Sequence, residues 1–99
     1  MKTKSVAAER TWLAIAPDGG MHKVVLRVGA PTGDADGPWL APVSLLGLEK
    51  RTIPIAGADA WQATALAMYF VKSRVEQYTE QGWKFYWDDD SEPVTAEDL

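Results

Sequence analysis

The stretch that decides the fold runs from Gly57 to Gly82 and reads GADAWQATALAMYFVKSRVEQYTEQG. Asp59 followed three residues later by Gln62 has the spacing of a capping box, in which each side chain accepts a hydrogen bond from a free amide of the first helical turn. The chain after Ala60 contains no proline and no glycine until Gly82, which is placed to end a helix. The sequence therefore predicts one long helix that begins at about Ala60 and ends just before Gly82.

One side of this helix carries a mostly apolar stripe, which we expect to pack on a sheet. At 100° per residue the stripe consists of Thr64, Ala67, Met68, Val71, Val75 and Tyr78. Leu66 and Phe70 lie off the stripe together with Ala63. Two interpretations of Leu66 and Phe70 stay open: they pack under a loop, or they form an exposed apolar patch suited to a two-fold dimer.

Five segments around the helix have strand patterns and are bounded by turn-forming residues. They are residues 11–16, 23–28, 39–46, 51–56 and 83–87. Pro42 and Pro54 cannot donate to a ladder, which places the third and fourth strands toward an edge of the sheet. The sequence thus predicts an α+β fold, an antiparallel sheet of about five strands with one long helix on one face, in the order β-β-β-β-α-β.

The chain of 99 residues has the size of one domain. A hydrophobic fraction of 46% with five tryptophans excludes a disordered chain. We expect a single domain over residues 1–87, followed by an acidic C-terminal tail over residues 88–99 without regular structure. Six of the fourteen acidic residues lie in that tail, and such ends are usually solvated.

Charge and composition make several classes of partner improbable. A net charge of −4 argues against a protein that binds the phosphates of nucleic acid. The longest apolar runs are shorter than the roughly 20 residues of a membrane helix, so no membrane partner is expected. The chain has no cysteine and no visible export signal, which favours a cytoplasmic location.

No catalytic, metal or cofactor site is predicted. His22 is the only histidine, and a lone histidine at a strand end is more often a surface or packed residue than a ligand. Asp34 and Asp36 resemble the start of a calcium loop, but the later acidic ligands are missing, which favours a plain turn. No serine stands in a nucleophile motif. An enzyme is therefore not expected.

The glycines, prolines and cap of the chain resemble a known pattern. The pattern is Gly29-Ala30-Pro31, then Trp39-x-x-Pro42-x-x-x-x-Gly47-Leu48, then Gly57-x-Asp59-x-x-Gln62-Ala63-x-x-Leu66-Ala67. It resembles a family of short bacterial domains of unassigned function, over roughly residues 9–87. That family often has a cysteine before the proline, where this chain has Ala41, so the resemblance implies no thiol chemistry. It implies a fold and no activity.

The most concrete functional hypothesis is a non-enzymatic protein-binding module, specifically an immunity or antitoxin protein that neutralises a basic toxin domain. It comes by analogy of size and charge. Exposed aromatic side chains would anchor the partner and acidic ones would steer it. The predicted partner-binding residues are Leu66, Phe70, Trp83, Tyr86, Trp87, Asp88, Asp89 and Asp90. The alternative hypothesis is a domain that binds a small molecule or ion through the loop at residues 29–38.

Overall fold

The computed structural model describes residues 6–88 and 92–99. The elements are β1 (Val6–Ile15), β2 (Met21–Gly29), β3 (Trp39–Leu46), β4 (Ile53–Gly57), α1 (Ala60–Glu80), β5 (Lys84–Trp87), β6 (Pro93–Val94) and a 3-10 helix (Ala96–Asp98). This is the predicted α+β arrangement, an antiparallel sheet with one helix packed on it. The sheet has six strands where about five were expected.

The strands lie in the order β4-β3-β2-β1-β5-β6, and every neighbouring pair is antiparallel. The first four strands form a meander, and α1 then carries the chain from the edge strand β4 back to β5, beside β1. Pro42 and Pro54 are direct partners between β3 and β4. Because β4 is an edge strand, the predicted placement of these prolines toward an edge is confirmed.

Both ends of α1 follow the predicted signals. Asp59 is the N-cap, and its Oδ1 accepts a hydrogen bond from the Gln62 amide at 2.8 Å. The Gln62 side chain accepts from the Ala58 amide at 2.6 Å, one residue before the amide of the usual capping box. Gly82 has a φ of +105°, and the Gly82 and Trp83 amides donate to the last carbonyls of the helix.

The described helices lack the combination of length and apolarity that crossing a membrane requires.

The buried face of α1 is rotated from the predicted stripe. The buried residues are Ala63, Ala67, Val71 and Val75, a single row spaced by four residues. Met68, predicted to be buried, is 42% exposed, whereas Phe70, predicted to lie off the stripe, packs against the core. The prediction was wrong for Met68 and Phe70 because the 100° spacing does not show how close the helix lies to the sheet, and the first half of α1 lies too close for large side chains.

That close approach is visible at Gly57, the last residue of β4. A Cβ placed on Gly57 would lie 2.3 Å from the amide nitrogen of Ala63 and 2.7 Å from its Cα. Both are backbone atoms of α1 and cannot rotate away. Gly57 and the alanines of the buried row therefore set the distance between the helix and the edge of the sheet.

Residues 92–99, called the C-terminal segment below, correct the expectation of an unstructured tail. β6 pairs with β5, with Val94 opposite Phe85, and the 3-10 helix contacts α1. Val94 and Ala96 are 4% and 5% exposed and belong to the core. Thr95 caps the 3-10 helix by accepting from the Glu97 amide. The prediction failed because two buried apolar residues among many acidic ones give too short a pattern to recognise.

We expect Gly57→Ala to lower the free energy of unfolding by about 1–3 kcal/mol, because the added methyl group forces α1 away from β4. The matched control is Gly37→Ala, where the added Cβ would meet only Asp34 Oδ1 at 3.7 Å, an ordinary contact. Urea unfolding of both variants measures the difference. If Gly57→Ala unfolds at the same urea concentration as the wild-type protein, the close approach does not position the helix.

Candidate interaction surfaces

The face of the sheet opposite α1 carries large apolar side chains where a solvated face would carry polar ones. Leu13 pairs with both Lys23 and Tyr86, and Val25 pairs with Leu46. Directly paired residues point to the same side of a sheet. This surface is called the open face below, and its large members are Leu13, Ile15, Val25, Leu40, Leu46 and Tyr86, with Met21, 70% exposed, beside Ile15 at its margin.

Nothing in the described helices covers the open face, because α1 contacts β2, β3 and β4 from the other side. Leu40 and Leu46 are each 39% exposed, and the other large members are half-buried only by their neighbours on the sheet. Contiguous apolar surface of this kind on a small domain usually marks an interaction site. The open face is therefore the main candidate binding surface.

Charged side chains lie at the two ends of the open face. Arg27 Nε donates to Glu9 Oε1 at 2.6 Å, near the start of β1. Lys23 and Lys84 lie toward the end of β1, where Lys84 pairs with Ile15. Neither lysine has an ion-pair partner among residues 6–88 and 92–99. The face thus has an apolar centre, a cationic end and an end that holds a carboxylate.

The two edges of the described sheet are poorly suited to adding another strand. At one edge, β4 is five residues long and contains Pro54, which lacks an amide donor. At the other edge, β6 has two residues. Short strands and proline are common protections against edge-to-edge pairing. A partner is therefore expected on a face of the sheet and not along an edge.

The aromatic residues predicted from the sequence do not form one site. Tyr86 points to the open face, whereas Trp87 points to the helix side and packs edge-on against Trp12 with a ring distance of 6.1 Å. Trp83 precedes β5 and lies 5.3 Å from His22 and 5.7 Å from Tyr78, ring to ring. Trp83, Tyr86 and Trp87 are all half-buried, but only Tyr86 joins the open face.

The burial of Trp12 accounts for the aromatic side chains on the helix side of the sheet. It is fully buried and contacts Phe85 and Trp87, and its Nε1 has no hydrogen-bond partner among the described residues. Its burial is stabilised by ring packing. Arg10 lies over Trp87 at 5.2 Å and donates to the Asp98 carbonyl at 2.9 Å, which ties the C-terminal segment to β1.

The remaining predicted residues are also dispersed. Leu66 is 42% exposed on α1, while Phe70 packs against the core beneath Arg74, so the two do not form one exposed patch. Asp88 is exposed at the end of β5. Asp89 and Asp90 lie outside the described residues.

The loop after β2 gives no support to an ion site. Thr32 bridges to Leu40, and Asp34 Oδ1 accepts from the Asp36 amide at 3.0 Å, which is turn geometry. No group of three histidine or carboxylate side chains in the described part of the chain is arranged to hold a metal ion. The hypothesis of a ligand in the 29–38 loop stays untested.

A polar cluster that sequence analysis missed joins the β3–β4 turn to α1. Glu49 Oε2 accepts from Arg74 Nε at 2.9 Å, from Arg74 Nη2 and from the Tyr78 hydroxyl at 2.8 Å. The Glu49 side chain is only 14% exposed. A partly buried carboxylate with three donors holds the turn against the helix. A lone glutamate in a turn gives no sequence signal for this contact.

The same cluster shifts two pKa values upward. The hydrogen bond to Glu49 raises the pKa of Arg74, which keeps the guanidinium charged. Burial is the main cause that raises the pKa of Tyr78, and the hydrogen bond to Glu49 adds to it because ionisation would place a second negative charge beside the carboxylate. The phenol is therefore held in its neutral form.

One known family model matches the chain over most of its length. Residues 8–95 match DUF6968, a domain of unknown function. The chain belongs to this family. Searches of curated proteins and of solved structures return no match. The matched range of the DUF6968 domain runs from β1 through β6, so it includes most of the stretch that the sequence had suggested to be a tail.

We expect the free energy of unfolding to fall above about pH 10, in part because of Tyr78. A raised pKa in the folded state means that the unfolded chain loses the phenol proton first, so alkaline pH favours unfolding. In Tyr78→Phe the alkaline fall should be smaller, whereas Tyr69→Phe, at a site that is 69% exposed, should keep it. Urea unfolding from pH 8 to pH 11 measures this, and equal slopes in the two variants would contradict the role of Tyr78.

Proposed function

We propose that the protein is a non-enzymatic protein-binding domain that packs its open face against the open face of a second copy. The observation that carries the proposal is the run of large apolar side chains on a sheet face that no described element covers. Sheets that expose such a face commonly bury it against another sheet, with the two faces about 10 Å apart.

The size of the face supports a specific contact. Six strands at about 4.8 Å spacing, with on average about six residues of about 3.3 Å each, give a face of roughly 600 Å². Specific interfaces bury about 600–1,000 Å² of each partner. The open face therefore reaches the lower end of that range without any contribution from loops.

The charges of the open face do not oppose a second copy as the occupant. A two-fold axis between the faces and perpendicular to the strands would place the end of β1 in one copy over the start of β1 in the other. Lys23 and Lys84 would then approach the end that holds Glu9. Glu9 is ion-paired with Arg27, so this end has no net charge and does not repel the lysines.

The immunity or antitoxin role is the more specific version of this proposal, with the predicted cytoplasmic location and a basic toxin domain as the further partner. Its support is the net charge of −4 and an acidic region on the helix side, where Glu76, Glu80 and Glu97 line one shallow cavity. A dimer formed through the open face would leave this region accessible. Acidic side chains would speed encounter with a basic protein mainly at low salt.

We expect the wild-type protein to sediment as a dimer at about 100 μM, and a Leu13→Glu, Leu46→Lys double variant to sediment as a folded monomer. The substitutions place charge in the apolar centre of the contact, which an interface does not tolerate. Sedimentation velocity gives the mass, and circular dichroism checks the fold.

The control is Leu66→Glu, which changes an exposed leucine on α1 and tests the alternative dimer suggested by the sequence. It should remain a dimer. A monomeric wild-type protein at the highest concentration, or dissociation caused by Leu66→Glu and not by the double variant, would contradict the proposal.

A further inference from the structure

A cleft of about 300 Å³ lies on the helix side of the sheet, between α1 and the β1–β2 hairpin. It exists because α1 contacts β3 and β4 much more than β2 and leaves the other half of the sheet to the C-terminal segment. That segment covers the region beside the second half of α1, and Leu99 lies at the border of the cleft. The cleft is on the opposite side of the sheet from the open face.

The floor of the cleft is apolar. Leu26 and Val28 of β2 and Val71 of α1 form it, and each is at least 95% buried with its remaining surface facing the cleft. Met68 adds a flexible wall that is 42% exposed, and Ala8 leaves the opposite side open. An unbranched thioether side chain adapts readily to ligands of different shape. The floor therefore suits an alkyl or aryl group.

The rim of the cleft is cationic. Arg10 is held in place by its bond to the Asp98 carbonyl and its contact with Trp87, and a guanidinium has further donors to offer. Lys72, across the cleft on α1, has no hydrogen-bond or ion-pair partner among residues 6–88 and 92–99. Two cations at the border of an apolar floor attract an anion and hold it by charge-assisted hydrogen bonds.

The nearby carboxylates do not cancel these cations. Glu9 borders the cleft through β1, but its carboxylate bonds Arg27 on the open face. The Asp98 carboxylate accepts from the Thr95 amide at 2.8 Å within its own turn. Both side chains are engaged elsewhere, so Arg10 and Lys72 are the charged side chains of the rim that remain available to an anion.

We propose that this cleft binds a small amphipathic carboxylate, with its apolar body on Leu26, Val28 and Val71 and its anionic group between Arg10 and Lys72. A volume of about 300 Å³ is at the lower end of the range for ligand pockets. A short-chain or medium-chain carboxylic acid of roughly ten non-hydrogen atoms has a suitable size. This proposal is independent of the open face and of dimer formation.

The test compares three probes whose alkyl chains have seven or eight carbons: octanoate, 1-octanol and octyltrimethylammonium. Each is titrated into the full chain and followed by two-dimensional NMR of amide and methyl groups. Octanoate should shift the signals of Leu26, Val28, Met68 and Val71. It should bind at least about tenfold more tightly than the cationic probe, because the chains are nearly the same and only the carboxylate can accept hydrogen bonds from Arg10 and Lys72.

Lys72→Gln should weaken octanoate binding by about tenfold and leave octanol binding unchanged. The matched control is Lys50→Gln, the same substitution at an exposed lysine of the β3–β4 turn, which should change neither. Three results would overturn the proposal: no shift at the floor residues with millimolar octanoate, equal affinity for the three probes, or shifts that appear at Leu13, Val25 and Leu46 instead. Equal affinity would identify an apolar recess suited to a side chain of a partner protein.

Discussion

One helix has to cover a six-stranded sheet, and it is too narrow to do so. A helix with its side chains is about 10 Å wide, whereas six strands at about 4.8 Å spacing extend over about 24 Å. The close contact between Gly57 and Ala63 places α1 over β3 and β4, at one side of the sheet. The coverage of β2, β1 and β5 must therefore come from other parts of the chain, and no helix within residues 6–88 and 92–99 packs on the second face of the sheet.

The uncovered half of the helix side explains both the aromatic content and the C-terminal segment. Trp12, Phe85 and Trp87 fill the space beyond the helix, and Val94 and Ala96 complete the layer. The hydrogen bond from Arg10 to the Asp98 carbonyl holds the end of the C-terminal segment against β1. The cleft lies in the part of the helix side that neither α1 nor the C-terminal segment covers. The limited width of α1 thus accounts for the buried aromatic rings, the regular structure of the C-terminal segment and the cleft.

Local signals predicted the elements that depend on local interactions. The cap at Asp59, the end of α1 at Gly82, strand β3 and the α+β class were all predicted correctly, because neighbouring residues determine them. The rotation of α1 about its own axis depends on its distance from the sheet. The hydrophobic periodicity of the sequence carries no information about that distance. The Glu49 cluster joins residues about 25 positions apart and leaves no pattern.

The same distinction applies to the candidate surfaces. Tyr86 was selected as an aromatic residue and does lie on the open face, but its apolar neighbours were not selected. In the sequence Val25 stands in line with Lys23 and Arg27, a pattern typical of a strand with one solvated face. The signal was an apolar residue at a position expected to be polar. Recognising its importance required the pairings that bring Leu13 and Leu46 beside Val25.

We propose that the open face is uncovered in one copy of the chain and becomes buried when two copies meet. Methyl relaxation by a soluble gadolinium chelate, recorded at low and high protein concentration, measures this directly. The methyl groups of Leu13, Val25 and Leu46 should relax strongly in dilute solution and become protected in concentrated solution, while those of Val24 and Leu45 stay protected throughout. Two results would contradict burial of the open face between two copies. They are protection of the open-face methyl groups at every protein concentration, and strong relaxation of them at every concentration.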